Sequence, residues 1–258
     1  MPTADEIGAL TGVLSAAGFV AAEEEADELL AFAGDDGELL DHALGRRLNG
    51  EPLPWITGTT LFCGRAIRVD PGVYVPRWQT TALALRAVDR LPVHGVAVDL
   101  CTGAGAVAAT LMDRRPGARV MATEIDERAV ACAATNGVEV YRGDLFAPLP
   151  ERVRGGVDVI VGVVPYVPTP ALALLPRDTL AFESPLPYDG GSDGTEILRR
   201  VVKDSPRFLR PGGALLLELG GEQADALGAD LERYGFSDSR VLVDEDGDVR
   251  GIEVTLGG

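Results

Sequence analysis

Lysine is nearly missing from this 258-residue chain: Lys203 is the only one, so arginine supplies almost all of the 23 basic residues set against 40 acidic ones. The net charge of −17 leaves no basic patch of the kind that phosphate backbones or anionic lipid surfaces require, which predicts neither a nucleic-acid nor a membrane partner. Cysteine is scarce as well. Cys63, Cys101 and Cys132 are widely spaced, and with only His42 and His94 beside them no metal-ligand pattern forms. Few cysteines fit a reducing compartment and exclude a disulfide framework, so a cytoplasmic location is expected. No apolar run is long enough to cross a bilayer. Met1 to Ala17 carries Asp5 and Glu6 but no basic residue, unlike an export signal.

What is abundant is small and apolar: 46% of the residues are hydrophobic and 32 are glycine. The chain centres on Val96-Ala97-Val98-Asp99-Leu100-Cys101-Thr102-Gly103-Ala104-Gly105-Ala106-Val107. An apolar run ends in an acid, a Gly-x-Gly turn follows, and an Ala-rich helical segment begins. Such a strand–turn–helix lets the backbone pass close to a ligand lying over the strand's carboxyl end. Arg119 to Glu124 repeats the pattern of a strand ending in an acid, and Glu124 falls about twenty residues beyond the turn, where an acid can hold a ribose diol. Val138 to Leu145 offers a third strand with Asp144 near its end. Each acid alone fits a helix cap. Three in register predict a nucleoside crevice.

Along the chain, three amphipathic helical stretches fill residues 1–50. Ile7, Leu10, Leu14 and Ala17 repeat at helical spacing; Leu29, Leu30 and Phe32 mark a second inner face; Leu39, Leu40, Ala43, Leu44 and Leu48 mark a third. Residues 51–77 are broken by proline and glycine, with Thr59 to Phe62 and Ala66 to Val69 pairing as a hairpin about Cys63-Gly64-Arg65. Residues 78–258 alternate helix and strand. A fourth strand covers Val157 to Val161, a helix Thr195 to Leu209, a turn Pro211-Gly212-Gly213, a fifth strand Gly213 to Leu219, and a closing pair Phe236 to Val243 and Val249 to Leu256. The expected architecture is α/β: a Rossmann-like sheet with an antiparallel edge, a helical bundle before it and a hairpin linker between.

The loop after the fourth strand, Val163-Val164-Pro165-Tyr166, makes a resemblance specific. With Glu51-Pro52, Ile56-Thr57-Gly58, Pro71-Gly72-Val73, Val75-Pro76-Arg77, Asp99 to Gly105, Gly143 to Phe146, Asp189-Gly190-Gly191, Asp193-Gly194 and Leu209 to Gly213, the chain resembles the HemK-type protein-(glutamine-N5) methyltransferases, which methylate a glutamine side chain in peptide-release factors. The resemblance implies a class I methyltransferase domain using S-adenosylmethionine. It implies that Asp99, Thr102, Gly103 and Gly105 wall the methionine part, that Glu124 holds the ribose hydroxyls with Ile125 beside it, and that Asp144 and Leu145 border the adenine. Arg77 and Thr80 match the family's segment approaching the cofactor. Val163, Pro165 and Tyr166 fall on the acceptor slot.

Four departures stand out, the mildest being cysteine for glycine at Cys101. The family's Asn-Pro-Pro-Tyr is here Val163-Val164-Pro165-Tyr166; Arg77-Trp78-Gln79-Thr80 lacks the proline and acid that usually follow the arginine; Glu183-Ser184 replaces Glu-Pro. An amide nitrogen is a poor nucleophile, and the family's asparagine accepts one of its N–H bonds. Val163 cannot. The resemblance therefore implies an active methyltransferase whose acceptor, a release-factor or other protein glutamine or a nucleophile on a small molecule, is left open. A cofactor-binding partner without turnover, and a Rossmann crevice for NAD with Ala108 at the third glycine's place, are the alternatives.

Overall fold

The computed structural model describes residues 3–175 and 177–258; Met1 and Pro2, at the start of the expected bundle, and Pro176 lie outside the described residues. α1 (Ala4–Ala16) starts with a complete capping box between Thr3 and Glu6, and Asp36 caps α3 (Gly37–Leu48) through the backbone N–H of Leu39, while α2 (Ala22–Ala33) carries Glu23, Glu24 and Glu25 in its first turn. Leu10, Leu14, Ala26, Leu29, Leu30 and Ala43 join Leu53 and Ile56 of α4 (Leu53–Thr57) in one apolar cluster. Arg47, 7% exposed, ties the layers: its guanidinium donates to both carboxylate oxygens of Glu25 at 2.6 and 2.9 Å and lies over the Phe19 ring. Ala17, Phe32 and Leu48, read as inward-facing, are exposed: Ala17 is the cap that ends α1, and Phe32 and Leu48 point to the side of the buried rows Ala26-Leu29-Leu30-Ala33 and Ala43-Arg47.

The hairpin is β1 (Thr59–Phe62) with β2 (Arg65–Arg68), one residue earlier than the expected second strand. Phe62 pairs with Arg65 around a two-residue turn. Cys63 and Gly64 both have positive φ, at 50° and 84°, as a tight turn matched to the strand twist demands. Asn136 fastens this hairpin to the main body: its side chain accepts the N–H of Arg68 at 2.9 Å and donates to the carbonyls of Arg68 and Ala104.

A 3₁₀ turn, Trp78–Thr80, leads into α5 (Thr81–Arg90). Then come β3 (Val96–Leu100), α6 (Ala106–Arg114), β4 (Arg119–Glu124), α7 (Glu127–Thr135), β5 (Val140–Arg142), β6 (Val157–Gly162), a 3₁₀ segment Thr169–Leu174, α8 (Arg177–Phe182), α9 (Glu196–Asp204), β7 (Leu209–Glu218), α10 (Gln223–Arg233), β8 (Phe236–Val243) and β9 (Val249–Leu256). The strands form one seven-stranded sheet in the order β5-β4-β3-β6-β7-β9-β8, parallel except for β9, which runs against both neighbours. Side chains alternate between the faces. Ala97, Val159, Val161 and Leu216 meet α5 to α7, whereas Val98, Leu100, Ile160 and Leu215 meet α9 and α10.

Two local expectations shift. β7 begins at Leu209 and runs through Pro211-Gly212-Gly213, since a break in register opposite Val157–Val159 absorbs the residues read as a turn. The third parallel strand is only Val140–Arg142, because Gly143 and Leu145 leave extended geometry toward the cavity. At the far edge, β8 is exposed along most of its length, and its pairing shifts between Ser237 and Arg240 around Asp238, whose φ is 52°.

Candidate functional site

The strand order reverses between β3 and β6, and cavities open there above the carboxyl ends of the parallel strands, where such sheets bind ligands. The first, about 220 Å³, is lined by Tyr74, Cys101, Gly103, Thr123, Glu124, Ile125, Asp144, Leu145, Val163 and Pro165, among others. A small neighbour of about 40 Å³ touches Thr80, Asp99 and Thr102. A third, about 420 Å³, lies on the β7 side and is lined by Arg77, Gln79, Val164, Tyr166, Tyr188, Glu218 and Arg250. Tyr74 and Val163 border all three.

Local folding explains the first cavity. Thr102 donates to Asp99 Oδ2 at 2.6 Å, and the Ala108 N–H adds a second bond at 3.1 Å, so the acid at the end of β3 fixes the turn and the first turn of α6. Asp99 is 1% exposed. Burial pushes its pKa up to about 7, against the pull of those two donors, with Glu124 raising it further. Glu124 accepts the Gly103 N–H at 2.9 Å through Oε2, and those of Ile125 and Asp126 at 2.8 and 3.0 Å through Oε1. A carboxylate has about four lone-pair sites, so this leaves about one for a ligand hydroxyl. Asp144 pairs with Arg200 at 2.5 Å on the cavity's far side.

The two glycines of the turn differ. A Cβ on Gly103, φ 57°, would meet only Tyr74 Cβ, at 3.9 Å, so its face is open to the cavity. A Cβ on Gly105 would come within 2.9 Å of Val138 and 3.2 Å of Ala133. Gly105 lines none of the three cavities; it lets α6 pack on α7.

On the acceptor side the network runs through β7. Thr80 donates to Glu218 Oε2 at 2.6 Å and Tyr166 to Oε1 at 3.1 Å. Burial raises the Glu218 pKa, offset in part by those donors. Arg77 donates to Glu183 Oε1 at 2.6 Å and to the Tyr188 hydroxyl at 2.9 Å, and Tyr188 donates to Glu183 Oε2 at 2.6 Å. Burial pushes the Tyr74 hydroxyl up to about 12 and raises Tyr166 and Tyr188 as well. Val163 lies just past the end of β6, half-buried on the cavity wall, while Val164 is 1% exposed in the core. Trp78 is 71% exposed and lines none of these cavities.

Of the residues picked from sequence, Gly103, Glu124, Ile125, Asp144, Leu145, Val163 and Pro165 line the first cavity, Thr80, Asp99 and Thr102 the small one, and Arg77 and Tyr166 the third. Tyr74 and Glu218 were missed. Glu218 carries the same signal as Asp99 and Glu124, an acid at the carboxyl end of a parallel strand; Tyr74 falls in the one-residue gap between the motifs Pro71 to Val73 and Val75 to Arg77. No cluster of potential metal ligands, and no helix long and apolar enough to cross a membrane, occurs among the described residues.

Residues 66–161 match the model of the methyltransferase small domain. The chain is 34% identical to a release factor glutamine methyltransferase of Cereibacter sphaeroides, with 99% of each chain covered. It is also 34% identical to the 4-amino-L-phenylalanine/4-methylamino-L-phenylalanine methyltransferase of Streptomyces pristinaespiralis, over 86% of this chain and 78% of that one. A methyltransferase structure from Pyrococcus furiosus shares the fold at a TM-score of 0.58 and 19% identity, covering 84% of this chain and all of that one.

Proposed function

The chain belongs to the release factor glutamine methyltransferase family, and from that premise we propose that it transfers the methyl group of S-adenosylmethionine to the side-chain nitrogen of a protein glutamine. It is an S-adenosylmethionine-dependent methyltransferase, and the dinucleotide alternative falls with that membership. The residues present fit this cofactor. Gly103 leaves open space, Thr123 Oγ1 is buried without a partner at the cavity wall, and Glu124 and Asp144 suit a cationic nucleoside. Glu124 would take a ribose hydroxyl, Ile125 and Leu145 would flank the base, and Asp99, Thr102 and Gly103 would border the methionine end.

When bound, the cofactor supplies an activated methyl: the nitrogen's electron pair forms the C–N bond as the C–S bond breaks, sulfur keeps that pair, and one N–H proton leaves. The chain's own work is mostly placement. The shared wall carries the reading: Val163 and Tyr74 border both the cofactor and the acceptor cavities and so set the two side by side. Tyr166 and Pro165 shape the slot beside it. Glu218, held by Thr80 and Tyr166 and raised in pKa by burial, would receive the departing proton.

A second reading, methylation of a small aromatic amine, draws on the hydrocarbon at Val163 and on the tyrosine-lined third cavity. Such a nitrogen needs no clamp on two N–H groups. Incubation with methyl-labelled S-adenosylmethionine and either a bacterial release factor or 4-amino-L-phenylalanine separates the two. Label on a glutamine nitrogen of the protein supports the first reading. Label on the amino acid alone supports the second, and cofactor binding without label in either points to a non-catalytic partner.

A further inference from the structure

Gln79 is the middle residue of the 3₁₀ turn Trp78–Thr80, and that turn is fastened on both sides, by Arg77 to Glu183 and by Thr80 to Glu218. Its side chain lines the 420 Å³ cavity with Val163, Tyr166 and Glu218. Its Oε1 is buried and has no hydrogen-bond partner, one of three such side-chain atoms among the described residues. A buried acceptor left unpaired costs about 1–3 kcal/mol, so an empty one on a cavity wall is a place for a ligand's N–H.

A carboxamide nitrogen carries two N–H groups, and acceptors for them fix the direction of its weak lone pair. Val163 offers none from its side chain, and the Tyr166 carbonyl already accepts Gln223 Nε2 at 2.7 Å through one of its two lone pairs. Gln79 Oε1 is a buried side-chain acceptor in the same cavity with no partner at all, whereas Glu218 already accepts from Thr80 and Tyr166. It is also neutral: an acid there would set a second buried negative charge near Glu218, which burial already disfavours in its ionised form.

We infer that Gln79 orients the acceptor, its Oε1 accepting one N–H of the substrate carboxamide in place of the asparagine that Val163 has displaced. The departures at Val163 and at Gln79 are then one change, an acceptor moved from the loop after β6 to the turn before α5. This rests on the glutamine reading above.

The test uses N-acetylglutamine methylamide titrated into the S-adenosylhomocysteine-loaded protein, followed by NMR. Gln79→Leu is expected to weaken binding about tenfold, and Val163→Asn added to it to recover most of that loss. The melting temperature of Gln79→Leu should hold or rise, since an unpaired buried acceptor is removed; a merely structural glutamine would lower it. Unchanged binding in Gln79→Leu, or no recovery in the double variant, overturns the inference. Methyl transfer to the same probe is read separately. Binding that depends on Gln79 without transfer by the unaltered protein would overturn the glutamine reading and leave this hydrogen bond standing.

Discussion

The two halves of the crevice are built on opposite plans. Around the first cavity, acids serve the backbone: Asp99 and Glu124 together accept four backbone N–H groups, one from Ala108 and the others from Gly103, Ile125 and Asp126. Around the third cavity, side chains serve one another, with Thr80, Tyr166 and Glu218 in one group and Arg77, Tyr188 and Glu183 in another. A backbone-held site tolerates little change in residue type, because each acid is part of the fold. A side-chain-held site can be rebuilt one substitution at a time. This difference fits a turn at Asp99 to Gly105 that departs from the family only at Cys101, beside a loop at Val163 that departs more.

Substitutions can break that contrast. The largest effect is expected for Gly103→Val. It would fill open space and force a branched residue to φ 57°, weakening S-adenosylmethionine binding at least about a hundredfold, roughly 2.7 kcal/mol, by calorimetry. Retained affinity would mean the cofactor does not pass over the turn. Gly105→Ala should act oppositely, lowering the melting temperature through the clash with Val138 while the folded protein binds cofactor normally.

Asp99 gives the next effect. Its pKa is about 7 folded against 3.8 for the free side chain, so between those values the folded state holds the extra proton. Stability is therefore greatest at low pH and falls as pH rises toward 7. Between about pH 5 and 7 the loss should be on the order of 2–3 kcal/mol in denaturant titrations, and Asp99→Asn should flatten the slope. An unchanged slope would show that Asp99 is ionised in the fold.

Tyr166→Phe removes one of the two hydroxyl donors to Glu218 and should lower kcat about tenfold, roughly 1.4 kcal/mol, with cofactor affinity unchanged. The smallest change is expected for Val163→Asn in the otherwise unaltered protein: about two- to threefold faster glutamine methylation, since Gln79 already accepts one N–H. An increase well above tenfold would show that the acceptor side lacked its clamp altogether.

The backbone-held half was the more legible in sequence. Asp99, Gly103 and Glu124 act through spacing along strand and turn, and spacing is what a sequence displays. The acceptor half depends on which side chains from distant segments meet. Nothing along the chain joins Thr80 to Glu218 or Arg77 to Glu183, separated by 138 and 106 positions. Glu218 nonetheless ends a strand in the same manner as Asp99. Elsewhere the differences are local: Phe32 and Leu48 share helical spacing with inner residues but lie at the margin of the buried face, next to buried Ala33 and Arg47, and Pro211 reads as a turn although a register break lets β7 continue through it.

The outer margin of the sheet carries its own consequence. β8 is exposed along most of its length, polar from Ser237 to Arg240 and apolar from Val241 to Val243, with a kink at Asp238. A ladder that ends in a bent, charge-bearing strand gives an incoming chain no straight row of amides to zip onto. Two copies meeting there would have to bury Asp238 and Arg240 to gain a few bonds, which sets a cost against pairing along that seam.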